Sequence, residues 1–236
     1  MRRFIGNVNL SSLEVSFTPE VSHHIKVVRL QRGEVIEVLC NGLAFTYKVE
    51  ENYPLRLSFV SQNTKMAREL DFKSVLLCPL LKKDNFEFCL QKSVELGVSD
   101  IYPFLSSRVI KRVSKGEFES KRDRFEKIIA EAVEQSNRDI VPILHELTEY
   151  KDVIKTEGDY KFIAYEEEAI KGQKLGFVPK REARILSLFG PEGGFSDSEV
   201  YLAVKEGFTC VSLGKRILRA ETAMVNMLSV IDFIGE

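Results

Sequence analysis

The feature that most constrains the fold is an alternation of apolar segments with amphipathic stretches from residue 72 onward. Apolar runs of strand length are separated by stretches whose apolar residues recur at helical spacing. Strands that are apolar on both faces are typical of parallel sheets covered by helices on each side. The strand candidates are Val75 to Leu81, Ile101 to Leu105, Phe162 to Tyr165, Ile185 to Phe189 and Cys210 to Leu213. The alternation therefore predicts a parallel α/β sheet.

Two helices are predicted before the glycine-rich part of the chain. The first is expected to open at Asp84, with Glu87 as its capping-box partner, and to stop at Gly97. The second has the clearest helical periodicity of the sequence. Its apolar positions are Phe125, Ile128, Ile129, Ala132 and Val133. Both helices should therefore pack one apolar face onto the sheet.

Two more helices are predicted in the last third of the chain. Ser196 with Glu199 three residues later forms a second capping-box pattern, and the helix it opens should end before Gly207. The final helix is expected to begin near Ala220. Both of these helices follow a strand candidate directly.

Residues 1–70 have a different pattern, which predicts short strands and one brief helix. Asn41-Gly42 lies between apolar runs over residues 34–40 and 43–49, and this dipeptide is a strong β-hairpin signal. A two-turn helix is predicted over residues 22–30. We therefore expect two domains, a small β domain over residues 1–70 and an α/β domain over residues 71–236.

Composition excludes several classes of protein. The four cysteines and three histidines show no metal-ligand spacing, so buried thiols and no metal site are expected. No apolar run reaches membrane-spanning length, and residues 1–7 lack the apolar stretch of a secretory signal. A cytoplasmic location is therefore expected. The net charge of -1 means that any contact with RNA must come from local basic patches.

Two glycine-containing segments each follow a strand candidate and open a helix. They read Phe-Gly-Pro-Glu-Gly-Gly-Phe-Ser over residues 189–196 and Gly-Lys-Arg-Ile-Leu-Arg-Ala-Glu-Thr-Ala over residues 214–223. Ligands of open α/β sheets bind where strands end, and glycines let the backbone approach a ligand closely. The spacing matches neither the dinucleotide fingerprint nor the lysine-bearing phosphate loop. Ordinary turns explain the glycines too, first-turn capping explains Glu221 and Thr222, and Arg219 fits a surface charge.

These segments resemble the RsmE-type ribosomal RNA (uracil) methyltransferases of bacteria, which belong to the SPOUT superfamily. The similarity lies in residues 190–195, in Leu213-Gly214 and in residues 217–223, and it extends along the whole chain. The other matching positions are Arg3-Phe4, His23-His24, Val28-Arg29, Gly33, Gln91-Lys92, residues 95–98, residues 134–136, Arg138 and Pro142. One departure is Ala220, where threonine is common in the family.

The resemblance implies an α/β architecture with two specialised domains. It implies a small PUA-like β-barrel that binds RNA over residues 1–70, and a SPOUT-type methyltransferase domain with a C-terminal trefoil knot over residues 71–236. It further implies a homodimer that uses S-adenosylmethionine (SAM) to methylate ring nitrogen 3 of one uridine in 16S ribosomal RNA of the assembled small subunit. The alternatives are a non-catalytic RNA-binding assembly factor, a nucleotide-dependent transferase, and a related knotted enzyme that acts on transfer RNA or the other ribosomal subunit.

Loop position and resemblance together assign site residues. We expect Arg219 to stabilise negative charge on the uracil oxygens, and Glu221 or a water molecule to accept the proton. The expected cofactor residues are Leu188, Gly190, Pro191, Glu192, Gly193, Leu213, Gly214, Ile217, Leu218, Thr222 and Ala223. The expected RNA-binding residues are Arg2, Arg3, Lys26, Arg29, Arg108, Lys111, Arg112, Gln135 and Arg138. Helix termination explains Gln135 and Arg138 equally well. A solvated helix face and loop likewise explain a basic cluster made up of Arg108, Lys111, Arg112, Lys115, Lys121, Arg122 and Arg124.

Overall fold

The computed structural model of the chain describes residues 1–63, 68–109, 113–165, 175–176 and 179–235. These residues form two compact units. The first consists of Met1–Glu69 together with Val133–Val141, and the second of Leu70–Ala132 together with Pro142–Glu236. None of the described helices combines the length and the apolar character that a bilayer crossing requires.

The first unit consists mainly of β structure. Its elements are β1 (Arg2–Ile5), β2 (Asn7–Val8), β3 (Val15–Ser16), α1 (Pro19–Val28), β4 (Val35–Cys40), β5 (Leu43–Asn52) and β6 (Leu55–Asn63). Four strands form a sheet in the order β1-β4-β5-β6, in which β1 and β4 run parallel and the other pairs antiparallel. Strands β2 and β3 pair separately. Among the described strands these pairings leave the sheet open and do not close it into a barrel.

The predicted hairpin joins β4 to β5. Asn41 and Gly42 take left-handed backbone angles, with φ of 49° and 76°, which a two-residue hairpin loop of this kind requires. Helix α1 begins three residues before the predicted start, because the Thr18 hydroxyl accepts a hydrogen bond from the Val21 amide at 3.4 Å. It ends where Arg29 adopts a φ of 51°. The local signals were therefore correct in type, and only the helix boundary moved.

The second unit is an α/β structure. Its strands are β7 (Lys73–Pro79), β8 (Val98–Leu105), β9 (Ile143–Leu144), β10 (Thr148–Glu149), β11 (Tyr160–Ala164), β12 (Arg184–Leu188) and β13 (Thr209–Val211). Its helices are α2 (Lys83–Glu95), α3 (Lys115–Glu119), α4 (Arg122–Ser136), α5 (Tyr150–Val153), α6 (Asp197–Lys205) and α7 (Ala220–Gly235), the last residues of α4 being grouped with the first unit. The strand order is β10-β8-β7-β12-β11-β13, with β9 beside β8, and every pair is parallel. The predicted parallel sheet is confirmed.

Alternating residues of this sheet build a core on each of its faces, as period-two side-chain geometry requires. Leu186 and Leu188 of β12 pack with residues of α5 and α6. Ile185, the residue directly before Leu186, belongs to the opposite core, together with Met227 and Ile231 of α7. The central strands are therefore apolar on both faces because helices cover both faces.

Capping explains where the helices of this unit begin. The Ser196 and Glu199 capping box is present at the start of α6. The predicted box at Asp84 and Glu87 is wrong, because α2 begins after Lys82 and no side chain of its own caps it. The Lys82 amide instead donates to the Glu192 carboxylate at 3.1 Å, so a residue distant in sequence supplies the missing acceptor.

The four cysteines, which were predicted to be buried thiols, are all free thiols in this structure. Cys40, Cys78 and Cys89 are buried, and Cys210 is half-buried. Burial raises the pKa of Cys78, and a hydrogen bond with Cys89 raises it further. The thiols of Cys78 and Cys89 therefore behave as inert core groups.

Candidate active site

A cavity of about 530 Å³ lies where four neighbouring strands of the parallel sheet end. Its walls come from residues after β7, β11, β12 and β13. The two glycine segments form two of these walls, so they meet in space as their sequence positions predicted. A volume of this size is within the usual range for small-molecule sites.

Most residues assigned to the site from the sequence line this one cavity. They are Gly190, Pro191, Glu192, Gly193, Leu213, Gly214, Ile217, Leu218, Arg219, Glu221 and Ala223. Two assigned residues do not line it. Leu188 is fully buried in the core that β12 forms with α5 and α6, and Thr222 is exposed on the first turn of α7. The cavity thus brings together residues from two loops that are about twenty positions apart in the chain.

The first loop, residues 189–196, is called the glycine loop below. Its turn is closed by a hydrogen bond from the Gly194 amide to the Pro191 carbonyl at 2.9 Å. Gly194 takes a φ of +68°, a left-handed conformation that favours glycine. Phe195 is buried in the core at the end of the turn, and Ser196 caps the following helix. The loop is therefore anchored at its far end and exposes backbone groups toward the cavity.

The second loop connects β13 to α7. Gly214 has a φ of +119°, and its amide donates to the Ser212 hydroxyl at 3.2 Å. The Arg219 carbonyl accepts the hydrogen bond from the Ala223 amide at 2.8 Å, which begins the helix. Ile217 is 86% exposed at the rim of the cavity. The loop thus combines an apolar rim with an anchored backbone.

Arg219 and Glu221, the assigned catalytic residues, both line the cavity. Arg219 is exposed and Glu221 is half-buried on the first turn of α7. Neither side chain makes an ion pair with another described residue. Both side chains can therefore contact a ligand without first giving up an ion pair with another described residue.

Sequence reasoning missed several residues that line the cavity. Lys82 and Asn85 lie at the start of α2, Ala164 ends β11 and Tyr165 follows it, and Arg216 belongs to the second loop. The signal that could have found them is the rule that the ends of neighbouring parallel strands share one edge of a sheet. Applying it required the strand order, which the sequence did not supply.

A family model for an RNA methyltransferase domain matches residues 68–232. The chain is 34% identical over 231 residues to ribosomal RNA small subunit methyltransferase E of Mesomycoplasma hyopneumoniae (strain 232), with 97% of this chain and 98% of the relative covered. It is 34% identical over 253 residues to the protein of the same name from Bacillus subtilis (strain 168), with 100% and 98% covered. The chain belongs to the ribosomal RNA small subunit methyltransferase E family. The family predicted from the sequence is confirmed.

Solved structures of two similar proteins align with nearly the whole chain of this methyltransferase E family member. The crystal structure of a ribosomal RNA small subunit methyltransferase E from Neisseria gonorrhoeae bound to S-adenosyl methionine has 30% sequence identity and a TM-score of 0.86, and covers 99% of this chain and 98% of its own. A methyltransferase from Legionella pneumophila in complex with bound SAM has 27% identity and a TM-score of 0.85, and covers 98% and 96%. The α/β methyltransferase fold predicted for the chain is therefore confirmed.

The exposed residues that were predicted to contact RNA include Arg2, Lys26 and Arg29 on the first unit of this family member, and Gln135. Arg2 donates to the Val28 carbonyl at 3.0 Å and lies 3.5 Å from the Glu34 carboxylate. Lys111 and Arg112 lie outside the described residues. Because Arg2, Lys26, Arg29 and Gln135 are exposed, they can contact phosphate groups, and their assignment to RNA stays a prediction.

Arg3 and Arg138 require a correction, because both side chains are buried within the first unit. The Arg3 guanidinium donates to Glu37 at 2.8 Å and to Asp139 at 3.0 Å, and also to the backbone carbonyl of Arg138. Arg138 pairs with the Glu69 carboxylate. Enclosed guanidinium groups that already face carboxylates are unable to reach a phosphate, so the two arginines are structural residues of this unit.

A buried carboxylate lies next to the glycine loop of this methyltransferase E family member. Glu199 is only 5% exposed. Burial raises the pKa of Glu199, but hydrogen bonds from the Ser196 and Ser107 amides and from the Ser106 and Ser196 hydroxyls outweigh it and hold the pKa below its usual value. The carboxylate is therefore charged, and its charge is compensated by neutral donors.

Glu199→Gln is expected to lower the melting temperature at neutral pH, and the difference from wild type should shrink on acidification. The amide would turn a donor toward existing donors, at a cost of about 1–3 kcal/mol. A carboxyl with a lowered folded pKa stabilises above its unfolded pKa of about 4.3, and this stabilisation is lost as pH falls through the folded value. Thermal unfolding between pH 7 and pH 3 would check this, with exposed Glu206→Gln as the control. A difference that stays constant over this range would contradict it.

Proposed function

We propose that this protein transfers the methyl group of SAM to ring nitrogen 3 of a specific uridine in 16S ribosomal RNA of the small subunit. The observation that carries the proposal is the cavity at the carboxyl ends of β7, β12, β11 and β13, lined by two glycine-containing loops. Membership of the ribosomal RNA small subunit methyltransferase E family supports the reaction class. Solved structures of two similar proteins contain bound SAM, which supports the cofactor.

The residues that line the cavity fit the chemistry of SAM. Leu213, Leu218 and Ala223 offer apolar surface for an adenine ring. The glycine loop and the loop that connects β13 to α7 offer backbone N–H and C=O groups for its polar edge. Arg216 and Lys82 offer positive charge for a carboxylate. The remaining residues that we assign to the cofactor are Gly190, Pro191, Glu192, Gly193, Gly214 and Ile217.

The protein's own residues then have two tasks, orientation and proton handling. When bound, SAM supplies a methyl group that its sulfonium has already activated. Arg219 donates to a carbonyl oxygen of the uracil, where negative charge develops as the ring nitrogen loses its proton. Glu221, or a water molecule held by it, accepts that proton. Holding both reactants in line supplies the rest of the rate enhancement.

The finer architecture is proposed from the resemblance to the SPOUT superfamily. We assign residues 1–70 to a PUA-like RNA-binding domain and residues 71–236 to a SPOUT methyltransferase domain with a C-terminal trefoil knot. The exposed cations Arg2, Lys26 and Arg29 support RNA contact by the first domain, since phosphate contacts supply affinity without base identity. A cytoplasmic homodimer that acts on the assembled small subunit completes the proposal.

Calorimetric titration with SAM, S-adenosylhomocysteine and ATP tests the cofactor, and methylation of undermodified small ribosomal subunits tests the substrate. Binding of the first two ligands, no binding of ATP, and recovery of N3-methyluridine after nuclease digestion are expected. Mapping the modified position by primer extension would identify the nucleotide. Folded protein that binds no SAM would favour the non-catalytic assembly factor, and methylation at another atom would remove the assignment to ring nitrogen 3.

A further inference from the structure

The turn that follows β8 lies against the glycine loop. Arg108, on this turn, donates through Nη1 to the Phe195 carbonyl at 3.1 Å and to the Gly193 carbonyl at 3.4 Å. A guanidinium nitrogen that donates to two carbonyls of one loop restricts how far these carbonyls can move apart. The arginine that the sequence assigned to RNA is thus engaged with the loop that lines the cavity.

The two backbones also touch directly at Gly193. A Cβ atom at this position would lie 3.2 Å from the Arg108 carbonyl oxygen and 3.3 Å from the Arg108 Cβ. Both distances are shorter than ordinary van der Waals contacts. A side chain at 193 would therefore push the turn and the loop apart, so close contact with Arg108 is one reason for glycine here.

Glu199 joins the same turn to the end of the glycine loop. Its Oε1 accepts from the Ser106 hydroxyl at 2.8 Å and from the Ser107 amide at 2.9 Å. Its Oε2 accepts from the amide and the hydroxyl of Ser196, at 2.9 Å and 3.0 Å. One buried carboxylate therefore holds both segments at once, and Arg108 holds them at a second point.

We propose that Arg108 and Glu199 are positioning residues, which brace the glycine loop in the shape that the cofactor site needs. This inference rests on the proposed function. A loop held in its binding conformation loses less conformational freedom when a ligand binds, so the brace increases affinity without touching the ligand. Arg108 accordingly acts on SAM binding through Gly193 and Phe195, and it does not serve as a phosphate contact.

The test is SAM affinity measured without RNA, because a phosphate contact has no effect on that quantity. We expect Arg108→Ala to raise the SAM Kd about tenfold, since hydrogen bonds to two loop carbonyls are lost. Arg108→Lys keeps the charge on a shorter side chain without the planar guanidinium, so its Kd should lie between those of Arg108→Ala and wild type. Arg181→Ala, at an exposed arginine of the same unit, is the matched control and should bind SAM like the wild type.

Amide hydrogen exchange of residues 193–196 provides a second readout, with faster exchange expected in Arg108→Ala than in wild type and Arg181→Ala. An unchanged SAM Kd and unchanged exchange in Arg108→Ala, with a higher KM for ribosomal subunits, would overturn the inference in favour of RNA contact. Wild-type protein that binds no SAM would instead overturn the proposed function, and the exchange measurement would still decide whether the brace exists. Glu199→Gln should move both readouts in the same direction as Arg108→Ala.

Discussion

Arg219→Ala is expected to lower kcat for methyl transfer about 10²- to 10³-fold, as removal of one donor to a developing oxyanion does in other enzymes. SAM binding should be largely retained. The backbone of Arg219 is held by the hydrogen bond from the Ala223 amide, so truncating the side chain leaves the start of α7 in place. Single-turnover methylation of undermodified small subunits, together with calorimetric SAM titration, measures both quantities.

Lys215→Ala is the matched control for this experiment. Lys215 is an exposed cation on the same loop and is absent from the cavity wall, so its loss should leave kcat unchanged. Loss of SAM binding together with turnover in Arg219→Ala would show that the arginine maintains the loop. Turnover equal to wild type would end its assignment as the oxyanion donor.

Arg3→Ala is expected to destabilise the first unit by about 3–5 kcal/mol, because it removes the buried cation from the Glu37 and Asp139 carboxylates and leaves Asp139 only the half-exposed Arg68, 3.8 Å away. The side chain of Arg3 is fully buried, and those of Glu37 and Asp139 are 7% and 5% exposed. One Asp139 oxygen already lacks a hydrogen-bond partner among the described residues, so this carboxylate depends strongly on Arg3. Urea denaturation, with hydrogen exchange to assign the loss to residues 1–69 and 133–141, would measure the effect.

Arg2→Ala separates this effect from a general loss of positive charge. Its guanidinium is 44% exposed and lies 3.5 Å from Glu34, an arrangement worth about 0–1 kcal/mol. The control should therefore unfold almost like wild type, although it removes the same charge from the neighbouring position. Equal stability of Arg3→Ala and wild type would contradict the structural role and restore Arg3 as a candidate for RNA contact.

Features encoded within a few residues were predictable from the sequence. The Asn41-Gly42 hairpin needs only two residues that tolerate left-handed angles, and the Ser196 capping box needs only a serine and the glutamate three positions later. The start of α2 was not predictable in this way. Its acceptor is Glu192, which lies 110 positions from Lys82 along the chain.

The positions of the glycine loops could be predicted, but their support could not. Strand order decides which loops share an edge, and the order β7-β12-β11-β13 places Lys82 and Asn85 beside loops from the last third of the chain. Periodicity reports which face of an element is buried, and it carries no information about which element lies beside it. The wall that Lys82 and Asn85 form was therefore found only in the structure.

By itself the sequence determined the parallel α/β sheet, the two loops that end at its edge and the family to which the chain belongs, because these are written in local periodicity and short motifs. Only the tertiary structure decided which cations are free to meet a ligand. Arg3 and Asp139 are 136 positions apart, and Arg108 and Phe195 are 87 apart. Sequence reasoning places a charged side chain on the surface when its partner is distant along the chain. The charge can be buried only because folding brings a carboxylate or carbonyl group to it.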